Sequence, residues 1–155
     1  ECLAEVRRSV AALRPVDLTL SSFHEALARL VAEFQSAAPE SEIALDVEGE
    51  AQALAPELRV ALYRCAQEAL TNVRKHARAT KVLVRLRVAD DAVELTVLDN
   101  GMGASTVESE TGFGLLGMRE RIALLGGVAS AGPDPGRGWR VDVRVPVAGA
   151  VAAAR

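Results

Sequence analysis

The chain has 155 residues and a formal net charge of −3, and half of its residues are hydrophobic. This length fits one domain, and the core must be built from aliphatic side chains because only 3% of the residues are aromatic. The negative charge and the scarcity of aromatic rings argue against direct nucleic-acid binding, since such sites use basic surfaces and stacking platforms.

The two cysteines, Cys2 and Cys65, are too few and too far apart in sequence to predict a disulfide framework or a metal cluster. A reducing, intracellular setting is therefore expected, with Cys65 as a small buried residue of a helix. The sequence shows no signal peptide, and its longest apolar run is shorter than the about 20 residues that span a bilayer. We expect this chain to lie outside any membrane.

The first predicted element is a helix that stops before Pro15, because apolar residues recur at three- and four-residue spacing. The chain opens inside this pattern, so residues 1–14 are expected to be the remnant of a longer helix and residues 15–21 a connector. A second helix is predicted from Ser22, the N-cap of a capping box with Glu25, to near Pro39.

Alternation of apolar and polar residues then predicts a strand over 42–49, and Pro56 opens a long helix that runs to about Ala77. Two alternating runs, 81–89 and 92–99, are joined by Asp90 and Asp91, which is a hairpin signature. A short helix over 115–127 and strands over 128–132 and 139–147 follow. The predicted fold class is α+β: a two-layer sandwich of one mixed β-sheet with helices packed on one face.

The long helix carries an unusual polar stripe within "QEALTNVRKHA" (67–77). Glu68, Asn72 and His76 follow at four-residue steps, so on a regular helix they lie one above another, with Lys75 beside them. A carboxylate, an amide and an imidazole suit a metal ion and an activated group better than they suit water. From this helix alone, a solvated face with a satisfied histidine stays the alternative.

Two glycine-rich stretches stand between a strand and a helix. "DNGMG" (99–103) lies at a strand end, and "GFGLLG" (112–117) opens the short helix. Glycines allow close backbone approach and helix N-terminal amides bind phosphate, so the pair predicts a nucleotide site, with two tight turns as the alternative. The spacing matches neither a P-loop nor a dinucleotide-binding fingerprint, so a different phosphate cradle is required.

In this order and at these separations, "QEALTNVRKHA", "DNGMG" and "GFGLLGMRER" resemble the asparagine box and the two glycine boxes of the Bergerat-fold (GHKL) ATPases. This superfamily includes histidine kinases, type II topoisomerase ATPase subunits, mismatch-repair ATPases and a class of heat-shock chaperones. The closest resemblance is to bacterial sensor histidine kinases of the nitrate-sensor-like group, and it covers residues 54–146. It implies a catalytic ATP-binding domain over 22–147, a tail over 148–155, and transfer of the ATP γ-phosphoryl group to a histidine.

The resemblance also implies a role for each motif residue. Asn72 would hold the Mg²⁺ that bridges the ATP phosphates, and Glu68 would be catalytic, by polarising the nucleophile or by supporting the metal. Asp99 would accept a hydrogen bond from the adenine amino group and so select adenine over guanine. The other implied ATP-binding residues are Lys75 and His76 at phosphate or ribose oxygens, Gly101 and Gly103 near the base, Thr111 at the end of a lid over 104–111, and Gly112, Gly114, Leu115 and Gly117 around the phosphates.

Two features depart from the family pattern. Many members have a threonine where this chain has Trp139, so adenine recognition would depend more on Asp99. Neither histidine suits the phosphoacceptor role, because His76 belongs to the implied ATP site and His24 lies after the connector. The opening segment resembles the end of a second dimerisation helix, so the acceptor histidine is expected upstream of this chain.

The implied partners are the protein's own dimerisation and phosphoacceptor domain and a cognate response regulator with helix-turn-helix output, without direct nucleic-acid contact. The full-length protein is expected to be homodimeric with this domain facing the cytoplasm, and its anchoring in a membrane stays open. Alone, this chain is expected to be a monomer or a weak dimer. The alternatives are an anti-sigma-factor-type serine kinase and a degenerate nucleotide-binding interaction module.

Overall fold

The computed structural model describes residues 22–102 and 113–146. The helices of these residues are α1 (Phe23–Ala37), α2 (Pro56–Asn72) and α3 (Phe113–Ala123), and their strands are β1 (Glu42–Glu48), β2 (Lys81–Val88), β3 (Ala92–Asp99), β4 (Val128–Pro133) and β5 (Trp139–Pro146). A 3₁₀ turn (Ala51–Ala53) precedes α2, and a π-helical turn (Val73–Ala77) follows it. The predictions for residues 1–21, 103–112 and 147–155 lie outside the described residues.

The five strands form one mixed sheet in the order β1-β2-β3-β5-β4. Strands β1 and β2 pair in parallel, and the other neighbours pair antiparallel. Strands β2 and β3 form the hairpin predicted through Asp90 and Asp91, which the Ala89 amide closes by donating to the Ala92 carbonyl at 3.0 Å. The predicted α+β class and the mixed sheet are confirmed.

The helices cover one face of this sheet, and the core lies between them. Alternate strand residues point to the covered face, and Val84, Leu95 and Val143 there are each at most 1% exposed. The helices contribute mainly aliphatic side chains to the same core: Leu27, Leu58, Leu62, Met118 and Ile122. Cys65 is fully buried in α2, as predicted, and this burial raises the pKa of its thiol to about 11.

The opposite face of the sheet is polar, and its charged residues pair across strands. Arg85 bonds to Asp46 at 2.9 Å, and Arg144 bonds to Asp91 at 2.8 Å and also to Glu94. Exposed pairs of this kind contribute only about 0.2–1 kcal/mol each. The stability of the sheet therefore depends mainly on its helix-covered face.

The first described helix, α1, begins where the capping box predicts. The Glu25 amide donates to the Ser22 hydroxyl at 3.1 Å, and the Ser22 amide donates to Glu25 Oε2 at 3.2 Å. Two amides that lack intrahelical partners are satisfied in this way. Within the described residues, no helix combines the length and the apolar character needed to cross a membrane.

The long helix predicted from Pro56 to Ala77 ends its regular winding at Asn72. Its last turn is π-helical, and Arg78 then takes the left-handed conformation, with φ 47° and ψ 41°. The Ala77 carbonyl accepts a hydrogen bond from the Met102 amide at 2.8 Å, so the end of the helix is tied to the segment after β3. A π-helical turn changes the residue spacing. The predicted regular stripe therefore holds from Glu68 to Asn72 but not as far as His76.

Candidate functional site

Several predicted site residues meet at one end of the sheet. Strand β3 ends at Asp99, which lies between Val82 near the start of β2 and Trp139 at the start of β5. The π-helical turn lies against the same end, because the Ala77 carbonyl bonds to the amide of Met102. The turn after α2 and the turn after β3 are thus held together, although they are distant in sequence.

Asp99 is the buried carboxylate of this site and is only 3% exposed. It alternates with Leu95 and Val97, so its side chain points to the helix-covered face. Its Oδ1 accepts a hydrogen bond from the Gly101 amide at 2.8 Å, and the backbone of Trp139 also hydrogen-bonds to the carboxylate. Burial raises the pKa of Asp99, and these two backbone contacts oppose that rise. A carboxylate held in this way is an acceptor of fixed direction.

Two glycines allow the backbone to close around Asp99. A Cβ atom at Gly101 would overlap the Ala77 carbonyl oxygen, so this glycine lets the backbone pass close to the π-helical turn. A Cβ atom at Gly138 would overlap the Asp99 carbonyl oxygen, and Gly138 has a φ of +104°. Gly138 is not among the predicted site residues. The only sequence signal for it is the glycine directly before Trp139 in "GRGW".

Asn100, like Gly138, is not among the predicted site residues. Its Oδ1 accepts hydrogen bonds from the amides of Thr80 and Lys81 at 3.0 and 2.9 Å, and its Nδ2 donates to Thr80 Oγ1 at 3.0 Å. The side chain therefore ties the end of β3 to the start of β2. This contact fixes the backbone directly after Asp99, which is a common use of asparagine in turns.

Glu68 and Gly114 form the second cluster, between α2 and α3. A Cβ atom at residue 114 would overlap Oε1 of Glu68, so the carboxylate fills space that only glycine leaves open. Asn72 lies one turn further along α2, and Glu68 and Asn72 are both half-buried. A carboxylate and an amide therefore lie on one side of α2, and the carboxylate lies against Gly114 at the start of α3.

The other predicted residues differ in their surroundings. Lys75 and His76 lie in the π-helical turn and are exposed, and Leu115 packs against the core. A Cβ atom at Gly117 would meet nothing within 4 Å, so packing within the described residues does not require a glycine there. Three of the predicted site residues lie outside the described residues: Gly103, Thr111 and Gly112.

The donor set of α2 fits Mg²⁺ bound through a phosphate better than it fits an all-protein metal centre. Within residues 22–102 and 113–146, no group of three or more His, Cys, Asp or Glu could hold a metal ion. Magnesium usually takes one or two protein ligands and completes its octahedron with water and substrate phosphates. Asn72 and Glu68 can supply ligands in that number.

Comparison with known proteins gives a family and a fold. Residues 57–149 match the model of the histidine kinase-, DNA gyrase B-, and HSP90-like ATPases. The sensor histidine kinase LiaS of Bacillus subtilis is 35% identical over 150 residues, which cover 95% of this chain and 40% of LiaS. The signal transduction histidine-protein kinase/phosphatase UhpB of Salmonella typhimurium is 35% identical over 141 residues, which cover 91% of this chain and 28% of UhpB. The chain thus spans less than half the length of these curated relatives.

Solved structures show the same fold. The ATP binding domain of PrrB from Mycobacterium tuberculosis superposes with a TM-score of 0.58 at 26% identity, covering 79% of this chain and 91% of that structure. Full-length ShkA in complex with AMPPNP superposes with a TM-score of 0.66 at 23% identity, covering 87% of this chain and 31% of ShkA. The five-stranded mixed sheet and its helices are therefore shared with histidine kinase structures.

Proposed function

Because the chain belongs to the histidine kinase-, DNA gyrase B- and HSP90-like ATPase family, we propose that it is the ATP-binding catalytic domain of a bacterial sensor histidine kinase. The observation that carries this proposal is the arrangement around Asp99. Its buried carboxylate is oriented by the backbone of Gly101 and Trp139 at the end of the sheet. An acceptor of fixed direction at this depth can select the amino group of adenine and reject the carbonyl of guanine.

The proposed reaction transfers the γ-phosphoryl group of ATP to a histidine of the protein's dimerisation domain. An imidazole nitrogen of that histidine forms a bond to the γ-phosphorus, the bond from this phosphorus to the bridging oxygen breaks, and ADP leaves. Glu68 would polarise the attacking imidazole and accept its proton. Catalysis of this kind depends mainly on positioning and charge neutralisation, so the placement of the Glu68 carboxylate against Gly114 supports this role.

We assign Mg²⁺ to the oxygen ligands of α2. Asn72 would hold the ion, and Glu68 lies one helical turn away on the same side. When bound, the ion would neutralise phosphate charge and align the γ-phosphoryl group. The number of ligands on α2 agrees with the usual binding of Mg²⁺ through few protein atoms.

The remaining motif residues are proposed to bind the triphosphate and ribose. At the start of α3, Gly114 and Gly117 would flank the phosphates and the Leu115 amide would donate to a phosphate oxygen, since helix N-termini attract anions. Lys75 and His76 are exposed on the π-helical turn, where their side chains can reach phosphate or ribose oxygens. Residues of the two glycine boxes and the lid would complete the site: Gly101, Gly103, Thr111 and Gly112.

The relatives are sensor kinases, which implies a two-component system with a dimerisation domain and a response regulator. We propose that the full-length protein is a homodimer that faces the cytoplasm with this domain, and that its response regulator has a helix-turn-helix output domain. We also propose that the present chain alone is a monomer or a weak dimer. Sedimentation of the purified chain tests the last point, and a tight dimer would contradict it.

Calorimetric titration of ATP and GTP into this chain, with and without Mg²⁺, tests the proposed function. We expect ATP to bind and GTP not to bind, and we expect Asn72→Ala to remove the dependence of ATP affinity on Mg²⁺. Asp46→Asn is the control, because Asp46 lies on the polar face of the sheet and pairs with Arg85. If the folded wild-type chain binds no adenine nucleotide, the proposed function is wrong.

A further inference from the structure

Trp139, the single tryptophan of the chain, lies directly opposite Asp99 in the ladder between β3 and β5. It precedes the buried residues Val141 and Val143 by two-residue steps, so its side chain shares the helix-covered face with the Asp99 carboxylate. Residues directly opposite in an antiparallel pair have Cβ atoms about 4.5–5.5 Å apart. The indole and the carboxylate are therefore neighbours at the end of the sheet.

The position of Trp139 is constrained by its backbone. Gly138 lies so close to Asp99 that a Cβ atom at residue 138 would overlap the Asp99 carbonyl oxygen. The Trp139 backbone also hydrogen-bonds to the Asp99 carboxylate. Strand β5 therefore begins in close contact with the backbone of Asp99. This contact holds Trp139 beside the Asp99 carboxylate.

The indole is only partly buried in the core. It packs against the buried cluster of aliphatic residues but is itself half-buried. Trp139 lies at the end of the sheet where Asp99 and the π-helical turn also lie. A large aromatic surface beside an oriented acceptor is suited to a flat ligand that combines a polar edge with an apolar face.

We propose that the Trp139 indole forms one wall of the base pocket and contacts the adenine ring whose amino group bonds to Asp99. This inference rests on the proposed function and assigns a further residue to its site. Asp99 sets the preference for adenine, and Trp139 supplies much of the affinity through apolar contact with the ring. Loss of an aromatic contact to a base weakens binding by roughly 5- to 140-fold.

Intrinsic fluorescence tests this proposal in the wild-type chain, because all tryptophan emission comes from Trp139. The ligands are adenosine, ADP and inorganic tripolyphosphate, which separate the base from the phosphates. We expect the emission to change in a saturable way with adenosine and with ADP. For ADP, the change should occur over the same concentrations as the binding measured by calorimetry. Tripolyphosphate is expected to leave the emission unchanged, since it has no base.

Two substitutions test the contribution of the indole to binding. Trp139→Ala, which removes the ring, is expected to weaken ADP binding by roughly 5- to 140-fold, whereas Trp139→Phe should change it by less than about threefold. Val128→Thr is the control, because Val128 lies on the neighbouring strand β4 and is 71% exposed. Circular dichroism and thermal unfolding establish that each variant is folded, and the wild-type emission decides the question if Trp139→Ala does not fold.

The outcomes separate this inference from the proposed function. If calorimetry shows that wild-type protein binds ADP while its emission does not change and folded Trp139→Ala binds equally well, the wall assignment is wrong and the kinase assignment stands. If wild-type protein binds no adenine nucleotide by calorimetry, both assignments fail. An emission change with tripolyphosphate as large as that with adenosine would also overturn the proposal, because it would report a general rearrangement.

Discussion

The carboxylate of Glu68 lies where any side chain at residue 114 would begin, so Glu68 and Gly114 occupy complementary space between α2 and α3. Glycine inside a helix costs about 1 kcal/mol relative to alanine. Local helix propensity therefore does not explain Gly114, whereas its contact with Glu68 does. The contact joins a residue of the asparagine box to a residue of the second glycine box.

Gly114→Ala is expected to displace the Glu68 carboxylate and to reduce phosphoryl transfer at least about tenfold, since a positioned acid or base contributes roughly 100- to 10,000-fold. The displaced atoms lie at the end of the flexible Glu68 side chain, so the free energy of unfolding is expected to change by less than about 1 kcal/mol. The measurements are urea unfolding of this chain and transfer from labelled ATP to the histidine-bearing domain of the full-length protein. Gly132→Ala in β4 is the control, because a Cβ atom there would meet nothing within 4 Å. Unchanged transfer in folded Gly114→Ala would contradict the role of this contact.

Asp99→Asn is expected to abolish most adenine-nucleotide binding and to leave the fold intact. An asparagine oxygen can still accept from the Gly101 amide, but the acceptor for the adenine amino group loses its charge. Hydrogen bonds to charged groups contribute about 1.5–3 kcal/mol, so ADP affinity should fall roughly 10- to 100-fold. Calorimetry on Asp99→Asn and on the Asp46→Asn control checks this. ADP affinity equal to that of the wild type would remove Asp99 from the site.

The same carboxylate predicts a pH dependence of stability. Burial raises the pKa of Asp99, so the folded state holds this proton more tightly than the unfolded state. The stability that protonation provides is fully present below the ordinary aspartate pKa of 3.8 and is lost as the pH rises through the higher folded-state value. Denaturant unfolding across this range should show that Asp99→Asn gains stability relative to wild type as the pH rises. A gain in the opposite direction would show that the backbone contacts outweigh burial.

Gly138→Ala is expected to destabilise the protein and to weaken nucleotide binding. Residue 138 has a φ of +104°, and a Cβ atom there would overlap the Asp99 carbonyl oxygen. The backbone conformation alone costs about 1–3 kcal/mol for a residue other than glycine. Urea unfolding and ADP titration measure both effects. Gly136→Ala in the same loop is the control, because its Cβ atom would make only a contact of 3.4 Å with Asp134. Equal stability of the two variants would contradict this prediction.

Cys65 is expected to resist alkylation in the folded protein. Burial raises the pKa of its thiol from 9.0 to about 11, which lowers the reactive thiolate fraction at pH 8 about a hundredfold. The measurement is the labelling rate of a Cys2→Ser variant with iodoacetamide, before and after unfolding in urea. Native labelling at the rate of the unfolded chain would show that Cys65 is accessible.

Local patterns predicted most of the elements correctly. The capping box at Ser22 and the Asp90–Asp91 hairpin depend on residues that are close in sequence, and the structure has both. Pro56 likewise begins α2, as predicted from its preference for the first helical turn. The three ordered motifs also predicted the ATPase family that the family model confirms.

The prediction was incomplete where distant segments meet. The π-helical turn before Arg78 is joined to the segment after β3 by the bond between the Ala77 carbonyl and the Met102 amide, which no pattern in residues 67–77 contains. Helical periodicity alone therefore predicted a regular helix through His76. The parallel pairing of β1 with β2 was likewise not predicted, because it follows from how the intervening α2 crosses the sheet.

The sequence by itself determined the element types, the composition of the core and the identity of the motif residues, because short-range periodicity and residue chemistry are properties of neighbouring positions. Only the tertiary structure decided that Glu68 fills the space left by Gly114 and that Gly138 brings Trp139 beside Asp99. These contacts join segments that are far apart along the chain. They arise from strand register and helix packing, which depend on burying the whole core at once.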